Sequence, residues 1–62
     1  MKVLYQYNEK TGRTYRIVEI MGSKFLQTVY HDKWKTIKTV SEREYETSYR
    51  SEAEAWQRGE RE

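Results

Sequence analysis

From Lys2 to Val40 the side chains alternate with a period of two, and turn-forming residues break the alternation three times. Val3, Tyr5 and Tyr7 alternate with Lys2, Leu4 and Gln6 until Asn8-Glu9-Lys10-Thr11-Gly12 interrupts. Asparagine favours the start of a turn, and Gly12 is free to take a left-handed backbone at its close. The β pattern resumes from Arg13 to Met21 with Tyr15, Ile17, Val18 and Ile20, and Gly22-Ser23 is a dipeptide suited to a two-residue type II′ turn. A third strand is expected at 24–30, and His31-Asp32 marks another turn. Residues 33–40 alternate again, with Trp34, Thr36, Lys38 and Val40 on one side and Lys35, Ile37 and Thr39 on the other. Short connections join antiparallel neighbours, so the pattern predicts a meander of three to four strands, at about 2–7, 13–21, 24–30 and 33–40.

Beyond Val40 the chain changes character. Ser51-Glu52-Ala53-Glu54 has the form of a capping box, in which the serine hydroxyl accepts from the Glu54 amide. Ala55 and Trp56 continue in a helix-forming context, and Gly59 is a natural stop. This predicts a short helix over about 51–58, with Ala53 and Trp56 facing the sheet. Residues 41–50 fit a loop, a strand or a helix. Tyr45, Tyr49, Ala53 and Trp56 are spaced four, four and three apart, so one long helix from Ser41 would align them. Thr47 and Ser48 disfavour that helix, and a strand or loop ending at Tyr49 is the preferred reading. Residues 60–62 are expected to fray. The fold class is therefore α+β: a small antiparallel meander with one short C-terminal helix packed on one face, in a single domain over 1–62.

A chain of 62 residues buries only about 60% of its unfolded surface, and with no cysteine this one has no disulfide to assist it. Leu, Ile, Val and Phe together number ten, so six tyrosines and two tryptophans must supply much of the core. No apolar run approaches the roughly 20 residues of a membrane span or forms a signal-peptide core, and a soluble, cytoplasmic protein without membrane contact is expected.

Catalysis lacks its parts. His31 is the single histidine and falls in a turn, so a triad would have to be assembled from one of four scattered serines around it. The three glycines are far apart and form no phosphate loop, and zinc and calcium patterns are missing. The expectation is a binding module rather than an enzyme, with no cofactor and no metal.

Charge offers more. Residues 1–40 carry eight Lys/Arg against three acids, a net of +5, whereas residues 41–62 carry four Arg against seven Glu, a net of −3. Such asymmetry points to a basic working surface joined to an acidic segment. Arg16, Lys24, Tyr30, Lys33, Trp34, Lys35 and Lys38 are the candidate site, in which lysines would neutralise phosphates while an aromatic ring stacks on a base. The plainer alternative is that these lysines solvate strand edges and that Trp34 is core. Parity adds a second possibility. Tyr15 and Ile17 oppose Val18 and Ile20, and Phe25 and Val29 oppose Leu26 and Tyr30, so both faces of the sheet carry apolar side chains. One short helix cannot cover both, and the other face would curl on itself or meet a protein, a second copy included.

The stretch Tyr49-Arg50-Ser51-Glu52-Ala53-Glu54-Ala55-Trp56, behind a basic meander, resembles the strand-to-helix junction of the three-stranded-sheet-plus-helix modules. These are the arm-type DNA-binding domains of phage-type integrases and the related plant-type domain. The resemblance spans about 13–58 and implies a sheet that enters the major groove, with Arg16, Lys24, Tyr30, Lys33, Trp34, Lys35 and Lys38 at the contacting positions. The extra N-terminal strand departs from that pattern. In size, strand content and charge the chain also resembles small bacteriophage accessory proteins that bind and block a host protein. Nucleic-acid binding, to DNA or RNA, is the leading expectation, and protein binding through an exposed aromatic sheet face is the alternative.

Overall fold

The computed structural model describes residues 1–60; Arg61 and Glu62, part of the segment expected to fray, lie outside the described residues. Four antiparallel strands, β1 (Lys2–Asn8), β2 (Thr14–Ile20), β3 (Ser23–Tyr30) and β4 (Lys33–Val40), form one sheet in the order β1-β2-β3-β4. A single helical segment, α1, follows over 42–60 and lies across one face. The meander, its strand positions and its α+β class agree with the sequence reading.

One of the three turns differs in detail from that reading, and the other two complete it. Glu9 and Gly12 close the first connection by hydrogen bonds from Gly12 N to Glu9 O (2.9 Å) and Glu9 N to Arg13 O (2.8 Å), with Gly12 at φ 91°. The second turn is Met21-Gly22 rather than Gly22-Ser23: φ is 51° and 82°, positive at both residues as type I′ requires. His31-Asp32 repeats this geometry at 51° and 63°. The register pairs Ile20 with Ser23, so Ser23 is already part of β3 and Met21-Gly22 are left as the two turn residues. Met21 is fully exposed and carries a conformation that asparagine tolerates better. Met21→Asn is therefore expected to raise the unfolding free energy by about 0.5–1 kcal/mol, seen as a higher urea midpoint at unchanged slope.

The helix corrects the expectation for 41–58. It starts at Ser41, whose Oγ accepts from the Glu44 amide (3.1 Å), and Ser51 lies in its interior. Both serines stand in the same S-x-x-E pattern, but only Ser41 directly follows the strand that must turn over the sheet. Gly59 is not a stop either, because it keeps a helical conformation and α1 runs on to Glu60. Between an α turn at Glu42–Glu44 and an α-helix at Arg50–Glu60, Tyr45–Tyr49 form a π-helical stretch. Residues four apart on an α-helix precess by about 40° per step, and a wider turn cancels that drift. Tyr45, Tyr49 and Ala53 can then all meet the sheet: Tyr45 and Ala53 are buried, and Tyr49 packs against the same cluster. Thr47, which argued against a helix, is used within it. Its hydroxyl donates to Arg43 O (2.9 Å) and so satisfies a carbonyl in the widened turn.

The core on this side joins Leu4, Ile17, Leu26 and Val40 of the sheet to Tyr45 and Ala53, with Tyr5, Tyr15 and Tyr49 at its margin. Trp56, expected beside Ala53, is half-buried. A bulge between Val3 and Tyr5 lets Leu4 and Tyr5, consecutive residues, both pack into this core. The helix closes over it: Gln57 Nε2 donates to Leu4 O (2.9 Å), and Tyr5 Oη donates to Glu52 Oε2 (3.1 Å). No helix among the described residues is long and apolar enough to cross a membrane.

Candidate interaction surface

A second bulge decides where the candidate residues go. Leu26 pairs with Lys38 and Gln27 with Thr36, leaving Ile37 as the extra residue of β4. Strict alternation would have grouped Trp34, Thr36, Lys38 and Val40; the bulge reverses parity beyond Ile37. The register rows Tyr5–Ile17–Leu26–Lys38 and Tyr7–Tyr15–Thr28–Lys35 lie on the helix side, together with the pairs Lys24–Val40 and Tyr30–Lys33. Trp34 pairs with Val29 and lies on the opposite, open side with Arg16. The seven candidate residues are thus split between two faces, five on one and two on the other.

On the helix side, two of the five lysine and tyrosine positions are already engaged. Lys24 is ion-paired with Glu42 and lies 3.7 Å from Glu19, with its ammonium 5.0 Å above the Tyr45 ring. Its side chain is only 10% exposed. Lys38 Nζ meets Glu44 Oε2 at 2.6 Å. These hydrogen bonds raise both lysine pKa values above the usual range. The acidic segment therefore spends part of its charge clamping α1 onto the basic sheet. Tyr30, Lys33 and Lys35 remain at the end of the sheet beyond the helix, all exposed, with Lys35 Nζ 5.1 Å above the Tyr30 ring.

Beside them runs a ladder of stacked rings, Tyr5 to Tyr7 at 5.0 Å and Tyr7 to Tyr15 at 5.5 Å between centroids. Burial, reinforced by Tyr49, Glu9, Tyr15 and Tyr5, pushes the Tyr7 phenol up from 10.0 to about 12. The folded chain thus holds this proton more tightly than the unfolded chain. Its contribution to stability is complete below pH 10 and is lost as pH rises toward 12. An ultraviolet titration of tyrosinate is expected to show one phenol ionising about two units late, and Tyr7→Phe is expected to remove it and flatten the alkaline fall in stability.

The open side has a different chemistry. Its rows are Val3–Val18–Phe25–Thr39 and Gln6–Arg16–Gln27–Thr36, followed by Asn8–Thr14 and Val29–Trp34, with Ile20–Ser23 at the far end. Arg16 is the one charged residue in these rows, in a chain of which 35% is charged. Val18 is completely buried although no helix covers it, because the twisted sheet folds Val3 and Phe25 against it from the neighbouring strands. Ile20 and Val29 remain 36% and 42% exposed.

At the centre, the Arg16 guanidinium carbon lies 4.1 Å from the centroid of the Trp34 ring. Arg16 Nε donates to Gln27 Oε1 (2.8 Å), and Gln27 Nε2 donates to Thr36 Oγ1 (3.2 Å). The three form a hydrogen-bonded chain across β2, β3 and β4, and burial lowers the Arg16 pKa. Gln27 and Phe25, unmarked as site residues by the sequence reading, belong to this surface. The alternation of β3 carried that signal, but Trp34 could not be joined to it without knowing of the bulge.

No protein-family model matches the chain, and no curated protein or solved structure is significantly similar to it.

Proposed function

We propose that this chain is a non-catalytic module that binds another protein on the open face of its sheet, around Arg16 and Trp34. One observation carries the reading: a face nearly free of charge, with exposed Ile20 and Val29 around a Trp–Arg pair, on a chain otherwise dense in charge. Protein interfaces are depleted of charge at their centre and enriched in aromatic residues and arginine, and Trp and Arg dominate their energetics. The likeness in size and composition to phage accessory proteins fits the same reading. Affinity capture from the source cells tests it. A partner retained by the wild type and by Lys33→Ser, but lost with Ile20→Ser or Val29→Ser at unchanged melting temperature, supports the open face. Equal retention by all four proteins overturns it.

A second reading rests on Tyr30, Lys33 and Lys35, which are exposed together on the helix side, the two lysines forming no salt bridge among the described residues. Nucleic-acid binding, the reading supported by the resemblance to arm-type modules, would use these three rather than all seven candidates. Fluorescence anisotropy with labelled DNA and RNA over a range of salt tests this. Affinity whose salt slope falls by about two in Lys33→Glu/Lys35→Glu favours phosphate contact there. The absence of binding at low salt removes it.

A further inference from the structure

We infer that the partner of the open face presents a carboxylate, from aspartate or glutamate, within a surround of apolar side chains, and that Arg16 is the residue that pairs with it. This rests on the protein-binding reading of that face and names the chemistry the face selects.

Arg16 stands in the middle row on an inner strand, so any partner covering the face must cover its guanidinium. Its Nε is held by Gln27, and Nη2 lies 3.9 Å from the sulfur of Met1, a poor acceptor. Among the described residues no carboxylate pairs with it. A cation buried in an interface without an anion is costly, whereas a forked guanidinium facing a carboxylate forms two parallel, charge-assisted hydrogen bonds. The stack on Trp34 and the bond to Gln27 already hold the fork in place, so little side-chain freedom is lost on pairing.

The rest of the face sets what surrounds the acid. Val3, Ile20, Phe25 and Val29 offer apolar contact and no further charge. Four strands about 4.8 Å apart and about seven residues long at about 3.3 Å each span roughly 19 by 23 Å. Covering this buries about 900 Å² over both partners, below the roughly 1,000–1,200 Å² of stable specific interfaces and in the range of transient ones, so a single well-placed ion pair weighs heavily. A second copy of this chain fits poorly. Packed face to face about a two-fold axis, two copies would bring both Arg16 groups toward the centre with no anion between them.

The test is a selection of random twelve-residue peptides against the wild-type chain, followed by amide-shift mapping of the winners. The expected result is a set of peptides with an acidic residue at one fixed position among apolar ones. They would perturb Val3, Phe25 and the Trp34 indole, and weaken about tenfold or more when that acid becomes its amide. The same peptides should lose their preference for acid over amide against Arg16→Gln and retain part of it against Arg16→Lys. Peptides that map to the open face without an acidic consensus, and bind Arg16→Gln equally well, would overturn the carboxylate while leaving the protein-binding reading intact. Winners that map elsewhere, or no winners, would overturn both. Dimerisation of the wild-type chain that Arg16→Gln leaves unchanged would replace the acidic partner with a second copy.

Discussion

Ile17→Ala is expected to lower the unfolding free energy by about 3 kcal/mol, and Ile17→Val by about 1 kcal/mol. A chain of 62 residues has roughly 3–9 kcal/mol in total, so the alanine variant loses about a third or more of its stability. Ile17 is completely buried and stands between Tyr5 and Leu26 in the register, in the cluster that Tyr45 and Ala53 close from above. Truncation leaves a cavity at the point where sheet and helix meet, and the neighbouring strands cannot collapse into it without breaking register. Urea unfolding followed by far-ultraviolet circular dichroism measures the loss. A cost below about 1 kcal/mol would mean that α1 does not seat on the sheet as described.

Val18→Ala is the second large effect, expected to cost about 2 kcal/mol, while Val29→Ala on the same face costs less than about 0.5 kcal/mol. Both residues lie on the open side, but Val18 is completely buried and Val29 is 42% exposed. The contrast tests whether the twisted sheet makes a small core of its own without the helix. Equal costs for the two substitutions would show that it does not.

The strands were legible because their signal is local. A half-buried strand alternates with period two, and Asn8 to Gly12, Gly22 and His31-Asp32 each interrupt it where a hairpin must turn. Apolar residues of both parities in β2 and β3 also foretold that one face would stay uncovered. The start of the helix was only half legible. Ser41 and Ser51 present the same capping pattern, and nothing within four residues distinguishes them; the choice follows from Tyr45 and Tyr49 gaining burial against the sheet. The role of Thr47 was hidden for a related reason. A threonine that weakens a regular helix supports one whose widened turn leaves a carbonyl for its hydroxyl.

The sequence named seven candidate residues, and their division between two faces was not legible in it. One extra residue at Ile37 sends Trp34 to the open face and gathers Lys33, Lys35 and Lys38 on the other. A bulge forfeits ladder bonding locally and survives only where both faces pack better for it, which is a property of the assembled sheet. The same holds for Lys24 and Lys38. Their charges were countable, but their pairing with Glu42 and Glu44 depends on the helix returning across β4. By itself, then, the sequence determined the meander, the approximate positions of its strands, where the chain must turn and the excess of charge on the first forty residues, because each of these is written in neighbouring side chains. The tertiary structure decided which lysines are neutralised, which face is left bare and that Arg16 lies on Trp34, because Coulomb pairing and packing act between residues that only the fold brings within a few ångströms.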